Sequence, residues 1–289
     1  MDFKTNIEEL KERAKGIKLF ASDLDGTLFD STHTLRDDTR EALRALADRG
    51  VILVCATGRS RSSLPESITG FEGVKYLITA NGARLFLRET DEVIYEKFLI
   101  PEAIEYSWPF LADEDVMCEF FWGGVPHVEE AHYNAARDYG IPKWFSGYFF
   151  STRQPVRDFE SAVREHINEI ENINFIFGSE DVQARVHAYL LERTDLYELT
   201  SSFPFNYEIG GLGVGKGAAI DFIAKREGIL PEQTICFGDQ DNDAGMIEYA
   251  GIGVAMANAT PLSRAAADII TLDNEHEGVL AALKAINLA

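Results

Sequence analysis

Asp23 and Asp25 flank a single leucine where the run Ile-Lys-Leu-Phe-Ala-Ser stops, and Gly26 and Thr27 follow directly. An extended chain sends side chains i and i+2 the same way, so a strand ending here delivers two carboxylates to one space beyond its C-terminal end. Gly26 lets the chain turn without a Cβ clash, and Thr27 offers a hydroxyl and a backbone amide to the same space. Two like charges held this close call for a cation, a shared proton, or both. An acidic surface turn is the plain alternative. A calcium loop is another, and it fails: counted from Asp23, Leu28 stands where glycine is needed and Thr34 where a bidentate glutamate is needed.

Three later stretches carry chemistry of a matching kind. Thr57-Gly58-Arg59 follows the apolar run Val51 to Ala56, and in an open parallel sheet ligands bind beyond the carboxyl ends of strands. Arg59 either adds charge there or braces its loop. Gly210 to Gly217 contains Lys216 and satisfies most of a nucleotide-binding phosphate loop, but the closing Ser or Thr is replaced by Gly217, so a nucleotide-bound magnesium would lose a ligand. A lysine at a helix N-terminus can still hold a phosphate by charge and dipole together. Asp239, Asp241 and Asp243 follow the run Thr234 to Phe237. A calcium loop fails again, because Ala244 and Ala250 occupy the glycine and glutamate positions.

Taken in order, Asp-Leu-Asp-Gly-Thr, Thr-Gly-Arg, Lys216 and Gly-Asp-Gln-Asp-Asn-Asp resemble the four motifs of the haloacid dehalogenase superfamily. Gly-Ile-Gly-Val-Ala-Met-Ala-Asn-Ala and Ala-Asp-Ile-Ile-Thr-Leu-Asp-Asn-Glu-His-Glu-Gly-Val, together with the fourth motif, look like its Cof-type phosphatases, which carry a C2B-type cap between the second and third motifs. The resemblance implies Asp23 as nucleophile and Asp25 as general acid and base. It implies Mg2+ held by Asp23, the Asp25 carbonyl and Asp239, and phosphate held by Thr57, Gly58 and Lys216. Thr27, Arg59, Asn81, Asn242 and Asp243 are the implied supporting residues. The implied activity is hydrolysis of a small phosphorylated metabolite, a sugar phosphate first and a phosphorylated cofactor such as FMN or pyridoxal phosphate next, under a cap that closes and reads the leaving group. A phosphomutase of the same architecture is the main rival; a P-loop-like nucleotide hydrolase and a receiver-type domain fit less well.

These residues require a doubly wound, Rossmann-like parallel α/β core. Its strands are predicted at 17–23, 51–56, 76–81, 234–237 and 252–256, with a strand-like run at 268–272. Thr34 is the predicted N-cap of a helix ending at Gly50, further helices are predicted from about Ala218, at Thr260-Pro261 and over 278–287, and residues 2–15 form a weak amphipathic helix. Residues 85–192 alternate short strands with helices and are rich in aromatics, including Trp108, Phe120, Phe121, Trp122, Tyr133, Trp144, Phe145 and Tyr148. They read as a small inserted α/β domain, with core parts 1–84 and 193–289 on either side. His127 and His132 lack a third ligand at metal spacing and read as structural or surface residues.

The length of 289 residues and 46% hydrophobic content support two packed domains. The formal net charge of -21 argues against nucleic acid and means that a phosphorylated substrate needs local positive charge at the site. No apolar run approaches the roughly 20 residues that span a bilayer, so a soluble, cytoplasmic chain is expected. Cys55, Cys118 and Cys236 cannot all pair and have no metal or redox spacing, so they read as structural; Cys55 and Cys236, inside strand-like runs, read as small buried hydrophobes. Oligomeric state is not readable.

Overall fold

The structure is a computed structural model that describes residues 1–139, 141 and 143–289, the side chains of 143–145 excepted, so Trp144 and Phe145 lie outside the described side chains. The chain forms two compact units: Met1–Thr57 with Pro65–Tyr95 and Gly215–Ala289, and Gly58–Leu64 with Glu96–Val214. In chain order the strands are β1 (Asp2–Phe3), β2 (Leu19–Ser22), β3 (Ile52–Ala56), β4 (Val74–Thr79), β5 (Arg84–Leu87), β6 (Val93–Glu96), β7 (Val116–Trp122), β8 (Val125–Glu129), β9 (Gln154–Val156), β10 (Asn172–Phe177), β11 (Tyr197–Thr200), β12 (Asn206–Gly211), β13 (Thr234–Gly238), β14 (Ile252–Ala255) and β15 (Ile269–Ile270).

The core sheet runs β1-β15-β14-β13-β2-β3-β4-β5-β6. Its six middle strands from β15 to β4 are parallel, with β1 and β5 antiparallel at their flanks. Strand β2 is therefore interior, between β13 and β3, which is why all four of its residues are buried. Alternation then sorts the two faces. Leu19, Ala21, Val54, Ala56, Tyr76, Ile78 and Cys236 pack with Ala219, Ile220, Ile223 and Ala224 of the helix Lys216–Glu227. That helix begins at Lys216, ahead of the expected Ala218. The helix Asp37–Asp48 packs on β3 and against the helix Gly278–Ala285. Arg36, with no side-chain cap, stands at its N-cap position; Thr34 belongs instead to the preceding loop. Thr260 does cap its helix, accepting from the Ser263 amide at 3.4 Å. The N-terminal helix is shorter than expected, Ile7–Ala14, because residues 2–3 pair with β15.

The second unit is built on the sheet β11-β12-β10-β7-β8-β9. One face is apolar: Cys118, Phe120, Trp122, Ile173, Phe175 and Ile209 pack with Ala103, Ile104, Val163, Val182 and Val186 of three helices. The other face is polar over its middle, with Glu119, Asn174 and Glu208 in one cross-strand row.

The main segment of this unit, Glu96–Val214, begins and ends later than the expected 85–192, and Gly58–Leu64 joins it. Two strands after β4 (β5 and β6) continue the core sheet, and β11 and β12 complete the second sheet. In β12 the polar face carries Asn206, Glu208 and Gly210, which leaves too weak an apolar signal to read as a strand. All three cysteines are free and buried. No helix among the described residues is long and apolar enough to cross a membrane.

Candidate active site

Asp23 leaves the end of β2 in line with Leu19 and Ala21, toward the helix that starts at Lys216. Its amide donates to the Phe237 carbonyl at 3.0 Å, which locks the strand end against β13. Gly26 then turns the chain at φ 79°, and a Cβ there would come 2.5 Å from Asp239 Oδ2, so no other residue fits.

Lys216 is the hub of the cluster. Its Nζ donates to Asp23 Oδ1 at 2.7 Å and to Asp243 Oδ1 at 2.6 Å, with no exposed side-chain surface. Asp23, Asp239 and Asp243 each place an oxygen within 4.8 Å of the others. Burial pushes the Asp23 carboxyl well above its usual range; Lys216 works against this, and Asp243, Asp239 and Asp25 add to it. Burial, then Asp243, pushes Asp239 up to about 7, against the pull of the Gln240 and Thr27 hydrogen bonds. Burial alone would lower the Lys216 ammonium, but Asp23 and Asp243 more than offset it and hold it above its ordinary value.

Asp239 ends β13 and accepts from Thr27 Oγ1 at 2.8 Å and Gln240 Nε2 at 2.8 Å. Both Asp243 oxygens have donors: Lys216 on Oδ1, and the Asp239 and Gln240 amides on Oδ2 at 2.9 and 3.0 Å. Asp243 thus shapes the loop that carries Asp239. The donor set suits a hard divalent cation. Its atoms are all oxygen, and the raised carboxyls mark negative charge that one lysine does not balance.

Thr57, at the end of β3, donates its amide to Ile78 and accepts from the Asn81 amide at 3.1 Å. Asn81 takes a left-handed turn at φ 57°, which asparagine tolerates, and its Oδ1 accepts from Asn242 Nδ2 at 2.9 Å. The predicted supporting residues Thr27, Asn81, Asn242 and Asp243 are therefore joined to the strand ends by hydrogen bonds. Gly58 and Arg59 fall in the second unit. There Arg59 braces its loop, donating to the Ser63 carbonyl at 3.1 Å with its guanidinium 4.4 Å from the Tyr148 ring centroid.

The phosphate-loop likeness at 210–217 has a structural explanation. A Cβ at Gly217 would lie 2.6 Å from the Gly245 carbonyl oxygen, so the position is fixed by close packing of two helices.

Two neighbours of the carboxylates escaped sequence reasoning. Asn258 Nδ2 donates to the Gly26 carbonyl at 2.9 Å and to Asp239 Oδ2 at 3.2 Å. Its signals were its place just past strand β14, on the same sheet edge as Asp239, and its position in the run Gly251–Ala259. His33 Nδ1 lies 3.0 Å from Asp25 Oδ1, eight residues along a loop without periodicity.

With this geometry in hand, comparison with known proteins is informative. A family profile for haloacid dehalogenase-like hydrolases matches residues 20–283. The 5-amino-6-(5-phospho-D-ribitylamino)uracil phosphatase YcsE of Bacillus subtilis is 30% identical over 93% of this chain and 95% of its own. The HMP-PP phosphatase of Klebsiella pneumoniae is 30% identical over 86% of this chain and 87% of its own. A haloacid dehalogenase-like hydrolase of B. subtilis superposes with a TM-score of 0.80 at 27% identity over 93% of this chain and 99% of its own. The subclass IIB sugar phosphatase BT4131 gives 0.77 at 27% over 94% and 100%. The chain belongs to the haloacid dehalogenase-like hydrolases, and among them it is a phosphatase.

Proposed function

We propose that the protein is a Mg2+-dependent phosphatase of a small phosphorylated metabolite, a sugar or polyol phosphate, working through an aspartyl-phosphate on Asp23. The observation that carries this reading is the buried Asp23 held by Lys216 with Asp239 beside it, while Asp25 keeps 23% of its side chain exposed. One carboxylate is enclosed and fixed, and its neighbour two residues on is open to a substrate.

Asp23 attacks phosphorus as the bond to the ester oxygen breaks, and that oxygen takes the proton of Asp25. Asp25 then takes a proton from the water that attacks the aspartyl-phosphate, releasing phosphate and Asp23. Lys216 and the Thr57 loop offset charge on the phosphoryl oxygens. Asp23, Asp239 and the Asp25 carbonyl would hold Mg2+, which supplies charge neutralisation between carboxylate and phosphate.

Two matched proteins are named for a ribityl-linked uracil phosphate and for sugar phosphates, and these support a polyhydroxylated leaving group. The test is phosphate release from a panel of sugar phosphates, ribityl phosphates, FMN and pyridoxal phosphate, with and without Mg2+, using the wild type and Asp23→Asn. Mg2+-dependent release lost in the variant is the expected result. Release by the variant at the wild-type rate would refute Asp23 as nucleophile, and phosphoryl transfer between sugar hydroxyls in place of release would make the protein a mutase.

A further inference from the structure

We infer that His33 is a positioning residue for Asp25, holding its Oδ1 so that the carboxyl keeps the orientation that serves the leaving group. The inference rests on the reading of Asp25 as general acid and base.

The contact is direct: His33 Nδ1 and Asp25 Oδ1 are 3.0 Å apart, with the imidazole 30% and the carboxyl 23% exposed. A carboxylate on a turn rotates freely about two bonds, and proton transfer to an ester oxygen needs it within hydrogen-bond reach in one orientation. The imidazole engages Oδ1 and so restricts the rotation of the carboxyl.

The loop that carries His33 is constructed to aim it. Asp30 organises residues 30–34: its Oδ1 accepts from the Thr32 amide at 2.9 Å, the Thr32 hydroxyl at 2.6 Å and the Thr34 amide at 3.2 Å. Its backbone carbonyl accepts from the His33 amide at 2.9 Å, and its amide donates to the Thr34 carbonyl at 3.2 Å. The Thr32 hydroxyl above all, with the backbone donors and Arg36, holds the Asp30 carboxyl below its usual range, so it stays an acceptor. From outside, Asn274 Nδ2 donates to the Phe29 carbonyl at 2.9 Å and the Ser31 amide to Glu275 Oε1 at 2.6 Å.

This closed loop forces His33 to φ 57°, a left-handed conformation that costs a residue with a Cβ free energy and persists where the surroundings over-determine it. Glycine or asparagine would sit there more easily. The residue present instead is the one whose ring nitrogen reaches Asp25.

The test separates positioning from mere loop stability. His33→Gly removes the imidazole and relieves the backbone; His33→Asn keeps a polar atom where Nδ1 was and also tolerates the left-handed turn. Phenyl phosphate and 4-nitrophenyl phosphate are nearly the same shape, but the nitrophenolate leaves without help from an acid. Their kcat/KM reports steps through leaving-group departure, and so excludes the second step that both substrates share.

In His33→Gly, kcat/KM for phenyl phosphate is expected to fall roughly 30-fold and that for 4-nitrophenyl phosphate less than about 3-fold, with His33→Asn recovering most of the loss. Equal losses on both substrates, or no loss on phenyl phosphate, would overturn the inference. Asp25→Asn is run alongside. If it hydrolyses phenyl phosphate normally, the reading of Asp25 itself fails; if it is impaired and His33→Gly is not, only the role of His33 falls.

Discussion

The two units each bury a polar network, and the networks balance their charge in opposite ways. In the core, three carboxylates within 4.8 Å share one lysine, at strand ends and loops. In the inserted unit, Glu119 takes Arg153 on both oxygens at 2.7 and 3.0 Å and Asn174 at 2.9 Å. Glu208 takes Asn172 at 2.8 Å, Asn206 at 3.2 Å and the Ser202 hydroxyl. Glu119, Asn174 and Glu208 sit mid-strand, in register across three strands, and all four carboxylate oxygens of the two glutamates have protein donors. A self-satisfied network specifies a fold. A network left with excess negative charge is completed by something that binds.

The largest expected effect is in the core. Asp23→Asn should lower Mg2+-dependent phosphate release at least about 1,000-fold while the protein melts no lower than wild type, because the substitution removes one of three crowded carboxylates. A variant that unfolds would make Asp23 structural and erase the contrast. Lys216→Met should cost about 100-fold in turnover and also lower the melting temperature of chelated protein, since it strands Asp23 and Asp243 together.

The inserted unit should respond in stability. Arg153→Met leaves Glu119 buried without its guanidinium and should destabilise by about 3–5 kcal/mol in urea, whereas Arg153→Met with Glu119→Leu should recover much of that. Additive losses in the double variant would mean that the pair does not act as a unit.

The smallest and sharpest test is pH, where the two units should behave oppositely. Asp239 rises from 3.8 to about 7 on folding, so folded protein binds the extra proton. In chelated protein that stabilisation is full below about pH 4 and is lost as pH rises toward 7; Mg2+ should restore it at the upper end. His127 falls from 6.5 to about 4, chiefly through burial, with its ring stacked 3.6 Å from Trp122. Its contribution is present above pH 6.5 and lost as pH falls toward 4. Melting followed at Trp122, with the other two tryptophans replaced, should show the acid-side loss, and His127→Phe should flatten it.

How much of this was legible follows the same division. The strands leading to Asp23, Thr57 and Asp239 are buried apart from Ile52, so their sequences are continuous apolar runs with abrupt polar ends, and both element and site could be read together. Lys216 was found by its type and its place before a helix, although Gly217 beside it answers to helix packing. Strand β12 was missed because its polar face mimics a loop, and the unit boundary moved with it. His33 and Asn258 were missed because their roles come from tertiary contacts, which leave no period in the sequence. Arg59 was legible as a residue of interest, with two roles open; its hydrogen bond to Ser63 and its place over Tyr148 are contacts that brace a loop.

The separation of Lys216 from Asp23, 193 residues along the chain, has a consequence for biosynthesis. Strand β2 emerges from the ribosome early, but its neighbour β13 and the lysine come only in the last third of the sequence. Until then the central strand lacks one of its two partners, and its carboxylates lack their cation. Contacts this distant in sequence form late and slowly. On the proposed mechanism, a chain that lacks Lys216 and β13 is therefore expected to be inert toward phosphate esters rather than partly active.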